Sequence, residues 1–423
     1  MFHSPQERTR TLAGLFAGYD GPAFAVRLWD GWEWRSAPGQ RPVCTMVLTE
    51  PSAAEAFLAA PNEVALGEAF IRGTLDVQGD LFSVFPVVEH VLNRPATLRQ
   101  RITGSLLQAG LDVRRRLGHG ARHSKPRDRA AIAHHYDQPV EFFRPWLGRS
   151  LAYSCAYFRS ESDTLDEAQE QKFEHICQKL RLEPGERFLD VGCGWGGLIL
   201  HAAGRHDVSA EGITLSQRQY DEAKRRIREA RLENRCSVAL RDYRDLDPER
   251  DGFDKIASVG MYEHVGLPNL RQYFRCVRAV LRPGGAFLNH GIARATRSLP
   301  RAASFIDHYV FPDARLVTLP EAMEAAESEG LEVRDVENLR EHYTMTLRRW
   351  VAGLEANRDK LLRLVSQETY RIWRLYMAGC AAAFERGEIA VYQTLLSKPA
   401  KGQSHLPLTR EDWYASRAER LAA

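Results

Sequence analysis

A short glycine-rich segment is where the residue types and spacing of this sequence first point to chemistry. It reads Arg-Phe-Leu-Asp-Val-Gly-Cys-Gly-Trp-Gly-Gly over residues 187–197. Glycine lets a backbone approach a ligand closely, and the free N–H groups at a helix start favour anionic groups. Asp190 falls in a predicted buried strand, and Gly192, Gly194 and Gly196 predict a tight turn into a helix. Two interpretations follow: a ligand-binding loop, or a packing turn of an ordinary α/β domain.

Further side chains that could carry chemistry lie in the segments 152–158, 258–266 and 288–292. A set of cysteine, histidine and glutamate suits nucleophilic catalysis or zinc binding, but the sequence shows neither activating geometry nor metal-ligand spacing. We therefore predict no metal site. Taken alone, a buried cysteine or a core histidine is more often structural than functional. His264 is predicted to be structural, because it follows Glu263 directly and adjacent residues of a helix or turn point apart.

The elements that must position these residues alternate along the chain after residue 131. Strands are predicted at 187–191, 207–214, 236–240, 253–259 and 286–290, and helices at 216–232 and 269–281. This alternation predicts an α/β fold, a parallel sheet with helices on both faces. Ligands of such sheets bind beyond the carboxyl ends of the strands.

The N-terminal residues 1–112 predict a smaller α+β module. Strands are expected in 23–34, around a turn at Asp30-Gly31, and at 43–49, with a helix over 50–60. A second helix over 81–93 is predicted to have an apolar face that includes Phe82, Phe85, Val88 and Leu92. A basic linker over 113–130 then leads to a catalytic domain over 131–423.

Composition and charge argue against some classes of function and of site. The chain has 423 residues, a formal net charge of +3 and a sequence pI near 8.4, a balance that does not argue for nucleic acid as a partner. Its seven cysteines form no Cys-x-x-Cys pair, which argues against a disulfide framework and a structural zinc site. The start shows no basic-then-apolar signal segment, and we expect a cytoplasmic protein.

Together these motifs resemble the cyclopropane-fatty-acyl-phospholipid synthases and the related mycolic-acid cyclopropane synthases. The resemblance covers residues 130–385 and extends to the N-terminal module through 26–31 and 66–81. It implies a class I, Rossmann-like methyltransferase domain that uses S-adenosylmethionine (SAM) as its cosubstrate. The implied reaction transfers the methyl carbon to the cis double bond of an unsaturated acyl chain in a phospholipid, and bound bicarbonate deprotonates the resulting carbocation to give a cyclopropane ring.

The resemblance also implies site residues. Beside Asp190 and the loop glycines, the implied SAM contacts are Tyr153, Ser154, Thr214, Leu215, Gln219, Asp242 and Tyr243. From the residues alone, Glu211 would be the acid that holds the ribose hydroxyls. The implied holders of bicarbonate are Cys155, Glu263, His290, Ile292 through its backbone, and Tyr343. Aromatic faces that could stabilise the cation are supplied by Tyr157, Phe158, Phe305, Tyr309, Phe311 and Trp350.

The expected partner is a phospholipid bilayer, met peripherally at its inner face, with the basic residues of the linker attracted to anionic lipid. A homodimer is implied by the resemblance only. A solvated linker without lipid contact stays open, as do a methylene- or methyl-branched product, a small soluble acceptor, and a non-catalytic lipid-binding role. The sequence departs from the family pattern at Ala314, where glycine is usual, and at Tyr262, where phenylalanine is usual. The first change puts the substrate in doubt and leaves SAM binding intact.

Overall fold

The computed structural model describes residues 4–51, 53, 63–93, 138–296, 309 and 316–414. Predictions for the basic linker, Phe305, Phe311, the altered loop at Ala314 and nearly all of the helix over 50–60 lie outside these residues. The chain packs as two compact units. One comprises residues 1–120, 300–312 and 361–382, and the other comprises 121–299, 313–360 and 383–423. The domain boundaries at 112 and 130 stay a prediction, and the grouping of 300–312 and 361–382 with the N-terminal residues was not expected.

The first unit contains a four-stranded sheet in the order β2-β1-β3-β4. Its strands are β1 Phe24–Arg27, β2 Glu33–Arg35, β3 Cys44–Leu48 and β4 Leu75–Gly79. The predicted hairpin at Asp30-Gly31 is confirmed, because β1 and β2 pair antiparallel across it. The helices of its N-terminal part are α1 Pro5–Leu15, α2 Glu63–Arg72 and α3 Val84–Leu92.

The buried face of α3 lies beside the predicted apolar face. Val84, Val87 and Val91 are buried, whereas the predicted residues of this helix, Phe85, Val88 and Leu92, are only half-buried. The segment is apolar on two adjacent faces, so a spacing of three and four residues fits both and does not decide between them.

The second unit contains a seven-stranded sheet in the order β10-β11-β9-β8-β5-β6-β7. Its strands are β5 Arg187–Val191, β6 Ser209–Thr214, β7 Cys236–Leu240, β8 Phe253–Val259, β9 Leu281–Arg294, β10 Glu332–Asn338 and β11 Ile389–Ser397. The five strands β5 to β9 are parallel, as predicted. The prediction of a wholly parallel sheet was wrong at one edge, where β11 pairs antiparallel with both β9 and β10.

Both faces of this sheet are covered, which explains why its central strands are apolar throughout. On β5, Phe188 packs with residues of helices α5, α6 and α7, while Leu189 and Val191 pack with residues of helices α8 and α9. These helices are α5 Leu165–Leu180, α6 Gly197–Arg205, α7 Gln217–Glu229, α8 Leu270–Val280 and α9 Leu319–Ser328.

The remaining described helices are α4 Val140–Leu147, α10 Arg340–Ala356, α11 Arg358–Leu361, α12 Gln367–Glu385 and α13 Glu411–Tyr414. Single 3₁₀ turns occupy Leu81–Ser83, Tyr243–Asp245, Tyr262–His264 and Leu267–Asn269. Among the helices in the described part of the chain, none has the length and apolar character that crossing a membrane requires.

Candidate active site

The glycine loop is the sharp connection between β5 and α6. Gly192 has a left-handed φ of 83°, and a Cβ at this position would come within 2.9 Å of a methionine side chain. The N–H groups of Gly192 and Cys193 both donate to the carbonyl of Ile213 at 3.0 Å, which ties the loop to β6. The guanidinium of Arg226 donates to the carbonyl of Trp195 at 2.8 Å. The loop is therefore held from both sides before any ligand binds.

This loop forms one wall of a cavity of about 140 Å³ at the carboxyl ends of β5, β6 and β8. Ten of the eleven predicted SAM contacts line it: Tyr153, Ser154, Asp190, Gly192, Gly194, Thr214, Leu215, Gln219, Asp242 and Tyr243. The eleventh, Gly196, faces Ala223 and Ile199 instead. Glu211 lies in the middle of β6, paired with neighbouring strands and outside the lining, so the residue-based alternative for the ribose contact does not fit this cavity.

Polar side chains at one side of the cavity hold one another in place. The hydroxyl of Thr214 donates to Oε1 of Gln219 at 2.7 Å and accepts from the backbone N–H of Ser216 at 3.2 Å. After β7, Arg244 donates to both carboxylate oxygens of Asp242, at 2.8 and 2.6 Å. Such bidentate pairs fix a carboxylate geometrically. These groups can accept ligand hydroxyls or amines without first reorganising.

A buried charge pair that the sequence analysis missed also lines the cavity. Lys172 of α5 is only 1% exposed, and its Nζ donates to the hydroxyl of Ser154 at 2.8 Å. Burial lowers the pKa of Lys172 to about 7, against the attraction of Cys155 and Asp190. Burial likewise raises the pKa of Asp190 to about 7, and Lys172 opposes that shift. Since Oδ1 of Asp190 has no hydrogen-bond partner among the described residues, the pair can accept a ligand that carries both charges.

The sequence analysis missed two lining residues, and a signal in the sequence could have identified one of them. Lys172 lies four residues after Ala168 and four before Ile176, both fully buried, so a lysine occupies the apolar stripe of α5. His264 was predicted to be structural, but it lines the cavity together with Met261. The two neighbouring side chains do point apart: His264 faces the cavity, and Glu263 contacts Ile292.

The predicted catalytic residues Glu263 and Ile292 are in direct contact. The backbone N–H of Ile292 donates to Oε1 of Glu263 at 2.8 Å, and the hydroxyl of Tyr262 donates to the carbonyl of Ile292 at 2.9 Å. Consecutive side chains of one 3₁₀ turn thus hold both backbone groups of Ile292. The Tyr262 ring packs over Gly291, where a Cβ would overlap it. Burial raises the pKa of Glu263 to about 7, and its Oε2 is buried with no partner among the described residues.

We expect Tyr262→Phe to keep this arrangement. The ring remains over Gly291, and one hydrogen bond is lost, which costs about 0.5–1.5 kcal/mol of unfolding free energy. Turnover should stay within about threefold of the wild type, since the contact between Glu263 and Ile292 is unchanged. Thermal melting and turnover measure the two effects. As a comparison, Gly291→Ala should lower turnover far more, because the Tyr262 ring must move and Glu263 moves with it. Equal losses of turnover in the two variants would contradict this arrangement.

His290 lies within β9, two residues before Ile292 on the same face. Its Nδ1 lies 3.2 Å from Nε2 of Gln393 on β11, and burial lowers the pKa of His290 to about 3. A neutral ring that accepts from the amide at Nδ1 carries its proton on Nε2. That Nε2 is buried without a partner among the described residues, so it is a donor available to a ligand.

The remaining predicted residues, Cys155 and Tyr343, converge on Leu339. The carbonyl of Leu339 accepts from the Cys155 thiol at 3.8 Å and from the backbone N–H of Tyr343 at 3.1 Å. Leu339 in turn donates to Val391, the cross-strand neighbour of Ile292. Burial raises the pKa of the Cys155 thiol well above its usual range, so the thiol is protonated and is not an activated nucleophile.

Of the predicted aromatic residues, Trp350 contacts a residue of the cavity lining. It stacks on Tyr153 with ring centroids 5.1 Å apart and meets Tyr343 edge-on at 6.0 Å. Tyr157 is stacked between two histidine rings, and Arg349 lies 4.4 Å from the centre of the Phe158 ring. Tyr309, which belongs to the first unit, donates to Glu68. The structure thus favours packing roles for these last three.

A sheet of this order, with a glycine loop after its first strand and a cavity beyond the strand ends, defines a class I SAM-dependent methyltransferase. Residues 123–394 match the family described as "Mycolic acid cyclopropane synthetase". The chain belongs to this family of cyclopropane synthases.

Relatives and a solved structure agree with this assignment. The chain is 41% identical over 394 residues to a "Probable fatty acid methyltransferase" of Pseudomonas putida, covering 92% of this chain and 95% of the relative. It is 36% identical over 264 residues to the "Cyclopropane-fatty-acyl-phospholipid synthase" of Escherichia coli strain K12, covering 62% of this chain and 66% of that one. The structure of mycolic acid cyclopropane synthase CmaA1, complexed with SAH and CTAB, superposes with a TM-score of 0.60 at 34% identity, covering 63% of this chain and 97% of that one.

Proposed function

We propose that this protein transfers the methyl carbon of SAM to the cis double bond of an unsaturated acyl chain in a membrane phospholipid and closes a cyclopropane ring. The observation that carries the proposal is the pair of buried groups around β9, the Glu263 acceptor and the His290 donor, each without a partner in the described part of the chain. A buried polar group left unpaired costs free energy, so such a pair is expected where a polar ligand completes it. The names of the relatives supply the acyl substrate class.

In the reaction, an alkene carbon bonds to the sulfonium methyl as the methyl–sulfur bond breaks, which releases S-adenosylhomocysteine and leaves a carbocation. Loss of one proton from the transferred methyl and closure of the second carbon–carbon bond give the ring. Stacked Tyr153 and Trp350 offer aromatic faces beside the cavity, and such faces stabilise a cation by about 0.5–2 kcal/mol each. Lys172 and Asp190 have the charges that match the carboxylate and ammonium of the methionyl end of SAM.

Bicarbonate, when bound, would supply the base that takes the proton. The donor and acceptor set fits it: Nε2 of His290 can donate to an anion oxygen, and Oε2 of Glu263 can accept the proton of bicarbonate itself. The family resemblance adds the thiol of Cys155 and the hydroxyl of Tyr343 as further donors, and to serve the anion the thiol would give up its bond to the Leu339 carbonyl. Because Glu263 also accepts from Ile292, its carboxylate is oriented before the anion arrives.

Product analysis tests the proposal. Purified protein with SAM and vesicles of a cis-monounsaturated phospholipid should yield fatty acids with upfield cyclopropane protons in the proton NMR spectrum. Mass alone does not suffice, since ring and methylene products are isomers. Vinylidene protons or a methyl branch would instead assign the protein to the branching reaction, the second candidate, which the name of the Pseudomonas putida relative favours. Turnover of a soluble acceptor without vesicles would contradict both.

We further propose that the protein acts as a homodimer at the inner face of the membrane, with residues 113–130 attracted to anionic headgroups. Each nearby basic residue contributes about 1 kcal/mol to such attraction. Reversing the charges of Arg114, Arg115 and Arg116 should therefore weaken cosedimentation with vesicles that contain anionic lipid, and leave binding to neutral vesicles unchanged. Equal cosedimentation of wild type and variant would indicate that this segment is a solvated linker without lipid contact.

A further inference from the structure

A second cluster of chemically active side chains lies where α5 and α6 pack together, and the proposed reaction does not use it. The thiol of Cys177 and one ring nitrogen each of His201 and His206 lie within 4.8 Å of one another. Oε2 of Glu174 is 3.1 Å from Nε2 of His201 and 3.1 Å from Nε2 of His206. The sulfur and the two nitrogens therefore lie close together, and the carboxylate oxygen of Glu174 faces both imidazoles.

The fold creates this cluster from residues that share no sequence motif. Glu174 and Cys177 are three residues apart on α5, so they share one side of the helix. His201 belongs to α6 and His206 caps its C-terminus. The two pairs are separated by β5 and the glycine loop, which is why the sequence predicted no metal site.

Surrounding residues orient the potential ligands. Oε2 of Glu170 lies 3.2 Å from Nδ1 of His201, so a proton on Nδ1 leaves Nε2 as the ligating atom. The amide of Gln178 donates to Oε1 of Glu174 at 2.9 Å and leaves Oε2 facing the two imidazoles. A carboxylate on the far nitrogen of a ligating histidine and a hydrogen bond to a ligating carboxylate are regular features of metal sites.

We propose that Cys177, His201, His206 and Glu174 bind one Zn²⁺ ion in a four-coordinate site. Zinc accepts thiolate, imidazole and carboxylate together, at about 2.3 Å to sulfur and about 2.0–2.2 Å to nitrogen and oxygen. Tetrahedral ligand atoms at these lengths are about 3.3–3.7 Å apart, so side-chain movements of about 1 Å bring the sulfur and the two nitrogens into range. The Glu174 carboxylate, 3.1 Å from both imidazoles, would turn toward the ion as the fourth ligand. With four protein ligands the site is closed and structural.

The burial of the ligands suits a structural ion. Cys177 is fully buried, whereas His206 and Glu174 keep 16% and 22% of their side-chain surface, which leaves a route of entry. Burial raises the pKa of the Cys177 thiol well above its usual range. The bound cation would stabilise the thiolate and release its proton. The ion would join α5, which carries Lys172, to α6, which begins at the glycine loop.

Cobalt substitution tests the site without any substrate. The full-length protein, stripped with EDTA, is titrated with Co²⁺ and then with Zn²⁺. We expect one equivalent to bind with the visible bands of tetrahedral cobalt and a near-ultraviolet sulfur-to-cobalt charge-transfer band, and Zn²⁺ to remove both. Zinc should also raise the melting temperature of the stripped protein, because an ion that binds only the folded state stabilises it.

Matched variants decide the ligand set. Cys177→Ala should abolish the charge-transfer band, while Cys236→Ala, which removes another buried thiol of the same core cluster, should keep it. His206→Gln, at the more exposed end of the site, should weaken zinc binding at least tenfold and abolish the thermal shift. Tetrahedral bands that persist in Cys177→Ala, octahedral cobalt only, or equal affinity in His206→Gln would overturn the proposal. If Cys177→Ala does not fold, the His206→Gln titration decides alone.

Discussion

Glu263→Gln should lower turnover by a factor of about 100 or more and change the Kd for SAM less than about twofold. General acid–base interactions of this kind contribute about 10²–10⁴ to rate. The amide oxygen can still accept from the Ile292 N–H, so the local structure is kept. The amide NH₂ then replaces Oε2, and a donor stands where the proposal needs an acceptor. Turnover on monounsaturated vesicles and calorimetric SAM binding measure the two quantities.

Glu211→Gln is the matched control for this variant. Burial raises the pKa of Glu211 as it does that of Glu263, but Glu211 lies in β6, between β5 and β7 and apart from the groups around β9. Its replacement should leave turnover and SAM binding unchanged. Unchanged turnover in Glu263→Gln would contradict the assignment of the anion holder, and a large loss of SAM affinity in Glu211→Gln would restore the ribose role to that residue.

The raised pKa of Glu263 allows a loss of catalysis in Glu263→Gln to be distinguished from a loss of stability. Because it rises from 4.5 to about 7 on burial, the folded protein keeps a proton that the unfolded chain has released between these pH values. The free energy of unfolding therefore decreases as pH rises through this interval. Glu263→Gln removes that penalty, so at pH 8 the variant should melt no lower than the wild type. A lower melting temperature would attribute lost turnover to instability.

The sequence was sufficient for the parts of the site that depend on local pattern. The predicted strands 187–191, 236–240 and 253–259 match β5, β7 and β8. Parallel strands buried on both faces are short apolar runs, and the glycines that follow β5 mark a turn that other residues cannot make easily. The residues at the strand ends then had to meet at one edge, whatever the helices did.

The rest depended on packing between distant segments. The antiparallel strand β11 follows the long helix α12, and nothing local states that the chain returns beside β9. Lys172 and the ligands of the proposed zinc site lie on helices whose periodicity predicts a helix but not what each face contacts. Gln393, which sets the protonated nitrogen of His290, is visible only once β9 and β11 are paired.

Lys172→Met should weaken SAM binding by about 10- to 150-fold, the effect of losing one charge-assisted hydrogen bond worth about 1.5–3 kcal/mol. Without the ammonium, Ser154 loses its donor and Asp190 loses the cation that lowers its pKa. Asp190 is then more fully protonated at neutral pH, and the cavity no longer offers two charges to a zwitterionic ligand. Calorimetric titration with SAM measures the change in Kd.

Two comparisons make this result specific to the cavity. Lys255→Met removes another largely buried lysine. Lys255 lies outside the cavity lining, and its partner Glu186 is 3.6 Å away. This variant should bind SAM like the wild type. Lys172→Gln can keep a donor to Ser154 without the charge, so its Kd should fall between those of the wild type and Lys172→Met. If both Lys172 variants bind SAM as the wild type does, the pair with Asp190 serves only to anchor α5, and the methionyl end of SAM must be held by the glycine loop and Gln219 alone. The expected intermediate Kd of Lys172→Gln divides the loss of SAM affinity into a part due to the charge, which this variant lacks, and a part due to the hydrogen bond, which it can keep.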